Sequence, residues 1–143
     1  MGQVLIEISK AIQALNLKSN DIELLEDNTG HEIFHKCLDR FVNSGDRKWW
    51  WEDFKDISFS IDSLEKPFEH LEEYIPDIES KVWLMVEDDE EYFYPIYICS
   101  PKIIGKLIGE CFGIEYYIID INLKWLICEN HHSRLIGSGN FDK

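Results

Sequence analysis

Three short stretches of this 143-residue chain hold side chains whose types and spacing could do chemistry. The first, His31-Glu32-Ile33-Phe34-His35, has the HExxH pattern of zinc peptidases. On a helix, residues four apart project to one side, so two imidazoles can share a zinc ion while the intervening Glu activates its bound water. No third ligand follows at a recognisable spacing. Glu52, His70 or His132 would serve only if the fold brought one of them in. A pattern this short also arises by chance, and the spacing of Thr29 and Glu32 predicts a local capping role for Glu32. On the structural reading, His31 and His35 are boundary residues of an amphipathic helix.

The second stretch is Cys128-Glu129-Asn130-His131-His132, where a strand meets a turn. A Cys with a nearby His is the pairing of a nucleophile with its base, or half of a metal site. If Cys128 faces inward it is core instead, and Asn130, His131 and His132 shape the bend through side-chain hydrogen bonds.

The third is Trp49-Trp50-Trp51, followed by Phe54. Three consecutive indoles cannot all face one core, on a helix or on a strand. One or two belong to the core and another lies in a groove or on the surface, where Trp is a favoured anchor for a partner. Stacking of Arg47 and Lys48 on these rings is the purely structural alternative. The acidic tract Glu87-Asp88-Asp89-Glu90-Glu91 lacks the alternating ligands and central Gly of a calcium loop and reads as a solvated hairpin tip. Gly137-Ser138-Gly139 is too short for a phosphate-binding loop and has no following Lys-Ser/Thr.

Elements to position these groups follow from periodicity. Val4, Leu5, Ile8, Ala11, Ile12 and Leu15 recur at helical spacing, and Lys18-Ser19-Asn20-Asp21 breaks the run. Ile33, Phe34, Cys37, Leu38, Phe41 and Val42 form the stripe of a second helix, with Thr29 and Glu32 as a capping box and Asn43-Ser44-Gly45 as its stop. Ile57, Phe59 and Ile61 alternate with polar residues as in a half-buried strand. Pro67 to Tyr74 predicts a short helix opened by Pro67 and ended by Pro76. Val82 to Val86 and Tyr92 to Cys99 form a hairpin around the acidic tract. Pro101 opens a third helix that Gly113 ends. Tyr116 to Ile121, Lys124 to Cys128 and Arg134 to Ile136 are strands with connections short enough for an antiparallel meander. The expected fold is a single α+β domain over residues 1–143. Its N-terminal helices pack on one face of a mainly antiparallel sheet that ends in a three-stranded meander.

Charge narrows the function. Asp and Glu number 28 against 14 Lys and Arg, a formal net charge of −14. Such a chain repels phosphate backbones and anionic membranes, and no basic stripe is present, so neither nucleic acid nor membrane is an expected partner. The charge favours a basic partner or simply solubility. A hydrophobic content of 45% with 13% aromatics excludes a disordered chain. The four cysteines, Cys37, Cys99, Cys111 and Cys128, form no CxxC pair, so no zinc ribbon or redox motif is expected. Glu7 and Lys10 interrupt the first apolar run, which leaves no signal-peptide pattern. The expectation is a cytoplasmic protein with free thiols and no cofactor.

The string Lys124-Trp125-Leu126-Ile127-Cys128-Glu129-Asn130-His131-His132, preceded by Glu115-Tyr116-Tyr117-Ile118, resembles an uncharacterised family of small acidic bacterial proteins. Trp50-Trp51-Glu52-Asp53-Phe54 is similar to that family's aromatic stretch. The likeness runs from Arg47 to Gly139 and leaves HEIFH outside. It implies a bacterial, cytoplasmic α+β domain with no assigned reaction. Size, acidity and tryptophan content also resemble, in style, the immunity proteins that neutralise bacterial toxins. The leading expectation is a non-catalytic, protein-binding, immunity-type inhibitor of a basic toxin, with Trp49, Trp50, Trp51, His131 and His132 as binding residues. The alternative is a zinc-dependent hydrolase built on residues 31–35.

Overall fold

A computed structural model of the chain describes residues 3–43, 50–88, 94–111 and 113–142. Among these, α1 spans Gln3–Ala14, β1 Ile22–Leu24 and α2 Asp27–Phe41. A 3-10 turn at Trp50–Glu52 precedes β2 (Ile57–Ile61), and two more, Pro67–Glu69 and Leu71–Glu73, precede β3 (Val82–Val86). Then come β4 (Ile96–Cys99), α3 (Pro101–Gly109), β5 (Tyr116–Asp120), β6 (Trp125–Glu129) and β7 (Leu135–Gly139).

The strands form one seven-stranded sheet in the order β1-β4-β3-β5-β6-β7-β2. Each strand pair is antiparallel. The α+β class and the terminal meander β5-β6-β7 are those read from the sequence. The helices divide between the two faces. Ile8 and Ala11 of α1 and Ile104, Leu107 and Ile108 of α3 pack with Leu84, Tyr116, Ile118 and Ile127. On the other face Ile33, Cys37, Leu38 and Phe41 of α2 pack with Met85, Tyr117, Ile119, Leu126 and Cys128. The strand runs explain this arrangement. Tyr116–Ile119 and Trp125–Cys128 are buried at every position, so both faces of the central strands need a cover.

Three local features differ from expectation. The α2 helix starts at Asp27, with Glu26 before it and no side-chain cap, so Thr29 and Glu32 lie inside the helix and form no capping box. Gly30 N–H to the Glu26 carbonyl (2.8 Å) closes the first turn, and the Asp27 carboxylate suits the positive helix end. Residues 67–74 make two 3-10 turns instead of a short α-helix. This stretch lies directly against α3: a methyl group on Gly105 would stand 2.6 Å from the Phe68 carbonyl oxygen. The edge strand β1 has no sequence signal, because three residues are too few to show a period.

Candidate functional site

The C-terminal end of β3, the start of β5 and the β6–β7 turn meet at one end of the sheet. Register places Val86 opposite Tyr116 and Tyr116 opposite Glu129. The residues just beyond these, Glu87, Glu115 and Asn130, are therefore neighbours. Glu87 N–H donates to the Glu115 carbonyl at 3.0 Å, which extends the ladder by one rung.

Asn130 builds the turn. Its side chain is buried, and its Oδ1 accepts from the backbone N–H groups of His132 (2.9 Å) and Arg134 (3.1 Å). Its carbonyl accepts from Ser133, which sits at φ 59°. This local bonding is why Asn occupies the first turn position. The turn presents His131 and His132, with ring centroids 4.0 Å apart, at the surface.

Glu115 anchors that turn from below. Its side chain is 6% exposed, against 42% for His131. Its Oε1 accepts from the His131 backbone N–H (2.7 Å) and lies 2.5 Å from His131 Nδ1. It also hydrogen-bonds the Glu87 side chain, which requires one proton between the two carboxyls. Burial by itself raises the Glu115 carboxyl. The hydrogen bonds from Glu87 and from the backbone and ring of His131, with the charge of that ring, outweigh burial and hold it below the ordinary carboxylate value. Asp88, also buried, adds a further carboxylate to this end of the sheet.

The tryptophan segment closes the site. Trp51 is half-buried and meets His131 and His132 edge-on, at centroid distances of 5.6 and 5.8 Å. Trp50, at 1% exposure, turns into the core against Phe34, Tyr94 and Tyr117. Trp49 and residues 89–91 of the acidic tract lie outside the described residues. The tryptophan segment thus divides as the geometry of consecutive indoles demands: one ring structural, the next at the edge of the surface.

Cys128 belongs to the core of the α2 face. It is fully buried against Tyr117, and burial, then the nearby carboxylates, pushes its thiol well above the ordinary range. Cys37 and Cys99 are also buried, and burial raises both thiols to about 12. A thiol at such values supplies negligible thiolate near neutrality.

The chain belongs to a family of unknown function, DUF6756. The family model matches residues 3–143, so the likeness extends to both N-terminal helices and includes HEIFH. Comparison with curated proteins and with solved structures finds no match.

Within HEIFH, His31, Glu32 and His35 lie on the outer side of α2, while Ile33 and Phe34 face the core. His31 and His35 are both exposed, and their Nε2 atoms are 2.7 Å apart. Glu32 pairs with Lys36 at 3.6 Å. Among the described residues no group of three His, Cys, Asp or Glu side chains converges, as the zinc site of a hydrolase would require. Glu52, His70 and His132, the donors considered for a third position, do not join the pair. No helix of the described residues is long and apolar enough to cross a membrane.

Sequence pattern does not single out Glu115 as a site residue. Its signal is an acid directly before an unbroken apolar strand, a position where the side chain is dragged towards the core and needs hydrogen-bond donors.

Proposed function

We propose that this DUF6756 chain is a non-catalytic protein-binding domain, an immunity-type inhibitor of a basic bacterial toxin in the cytoplasm. The observation that carries this reading is the convergence of Trp51 with His131 and His132 beside Glu115 and Glu87. The half-buried edge of Trp51 offers a partner side chain an aromatic anchor at the surface. The net charge of −14 adds long-range steering of a basic partner. The buried, weakly acidic thiols support a binding role over nucleophilic catalysis. A hydrolase on residues 31–35 would need a third donor that the described residues do not bring to His31 and His35.

The test looks beside the gene for an open reading frame that encodes a basic, toxin-like protein and measures that protein's association with this chain at rising salt. Fast association that slows steeply with salt, and dissociation accelerated by Trp51→Ala, are the expected results. No association with that protein, or an association rate indifferent to salt, would overturn the reading.

A further inference from the structure

We propose that His31 and His35 form a bidentate site for a borderline divalent transition-metal ion on the exposed side of α2. The inference is independent of the protein-binding reading. It rests on where the two donor atoms lie. Residues four apart on a helix share a side. Here the rings stack at 4.6 Å with 30° between planes, and the two Nε2 atoms lie 2.7 Å from each other. Phe34 meets the His35 ring edge-on at 5.5 Å, and Phe34 is itself packed on Trp50 at 5.2 Å, so the aromatic core holds the His35 ring in this orientation.

The spacing suits an ion. Two nitrogens each 2.0–2.1 Å from a metal, at 90–110° to one another, lie roughly 2.9–3.3 Å apart. The observed pair needs to open by only a few tenths of an ångström. In the metal-free pair one Nε2–H donates to the other Nε2. On binding, both Nε2 lone pairs go to the ion, and the proton of the former donor ring moves to its Nδ1. Two neutral imidazoles therefore bind the ion with no net release of protons. Imidazole donors select Cu2+, Ni2+ and Zn2+ over Mg2+ or Ca2+, with Cu2+ the tightest. With two protein donors the remaining positions are filled by water, so the site is an open chelate. Glu32, ion-paired with Lys36 at 3.6 Å, is not one of its ligands.

The experiment titrates the full chain with Ni2+ and with Zn2+. Calorimetry reads affinity, and imidazole 15N shifts report which rings respond to Zn2+. The expected result is one ion per chain, shifts at His31 and His35, and an affinity lowered about 10-fold or more by His35→Ala, since the second donor then no longer acts at high effective concentration. A double variant, His35→Ala with Lys36→His, keeps the number of imidazoles but moves one to a different side of the helix, and it should bind as weakly as His35→Ala. His31 and His35 are exposed, so these variants should fold, with circular dichroism as the check. His31→Gln repeats the test from the other donor. Unchanged affinity in His35→Ala, full affinity in the shifted variant, or shifts confined to His70, His131 or His132 would each overturn the proposal.

Discussion

On the face covered by α1 and α3, the sheet is packed mainly by aliphatic side chains, and the backbone of one 3-10 turn lies against Gly105. On the face covered by α2, Phe34, Trp50, Phe54, Tyr94 and Tyr117 touch one another in a continuous five-ring cluster among aliphatic neighbours, whereas the first face has a shorter chain of four rings, Tyr74, Phe59, Phe141 and Trp125. The polar groups divide the same way. Glu129, opposite Tyr116 on the first face, has the Tyr116 hydroxyl at 2.6 Å, and burial raises its carboxyl despite that bond. Glu115, on the second face, is held low by several partners. One face is scaffold with a tolerated carboxyl. The other places a stabilised carboxylate under a surface made of Trp51, His131 and His132. The difference teaches that the surface groups Trp51, His131 and His132 depend on the aromatic layer for position, so damage to that layer should disturb structure before it disturbs the surface.

Trp50→Ala should have the largest effect. It removes a fully buried indole from the ring cluster and should cost about 3–5 kcal/mol, read as the shift in a urea unfolding curve. A loss below about 1 kcal/mol would show that the ring layer is not the support of this face. Gly105→Ala is the corresponding blow to the other face. Its methyl would meet the Phe68 carbonyl oxygen, a backbone atom, at 2.6 Å, so overpacking of roughly 1–3 kcal/mol should exceed the gain of up to about 1 kcal/mol in helix propensity. A stabilised Gly105→Ala protein would mean that the turn yields easily, and the rigid contrast between the faces would fail.

Much of the scaffold was legible in the sequence, and the physical reason is period. The helical stripes of Ile8 and Ala11 and of Ile33, Cys37 and Phe41 point at cores the structure contains. The three C-terminal strands are long enough, and their connections short enough, to imply the meander. The distribution of helices was written less openly. Its sign is the absence of alternation in Tyr116–Ile119 and Trp125–Cys128, which marks strands covered on both faces. The site was legible only in pieces. Trp51 and the His131-His132 pair stood out as residue types, but their contact depends on register between strands and on a turn built by Asn130. Neither follows from spacing along the chain. The capping box failed because helix α2 begins two residues before Thr29, at Asp27, where a carboxylate at the helix end is as good a start as a hydroxyl cap.

Acid sharpens the comparison next. A carboxyl held low in the folded state contributes stability that is present above its unfolded value of 4.5 and lost as pH falls through the lower folded value. Glu115 should therefore supply part of the acid limb of unfolding. Glu115→Gln should lower stability at neutral pH by roughly 1–3 kcal/mol, because the His131 hydrogen bonds lose their charged acceptor. It should also flatten the loss of stability below pH 4.5. An unchanged acid limb would detach the β6–β7 turn from Glu115. Trp51→Ala should be milder for stability, about 1 kcal/mol, because the ring sits at the edge of the core. It should nevertheless weaken association with a basic partner more than Trp50→Ala does when both are compared at equal folded fraction.

Glu129 gives the smallest and most discriminating effect, because its sign is opposite. A carboxyl raised in the folded state is favoured there when protonated, so the fold loses stability as pH climbs from the unfolded value of 4.5 through the higher folded one. Glu129→Gln keeps an acceptor for the Tyr116 hydroxyl and removes the buried charge. It should stabilise the protein at neutral pH by a few tenths of a kcal/mol up to about 1 kcal/mol. Below the unfolded value the two proteins should be equally stable, since both then carry a neutral side chain. Paired pH titrations of stability for Glu115→Gln and Glu129→Gln therefore diverge in opposite directions at neutral pH. If both variants lose stability together, the Tyr116–Glu129 contact is an anchor like the His131–Glu115 contact, and the two faces do not differ in the way their carboxyls are held.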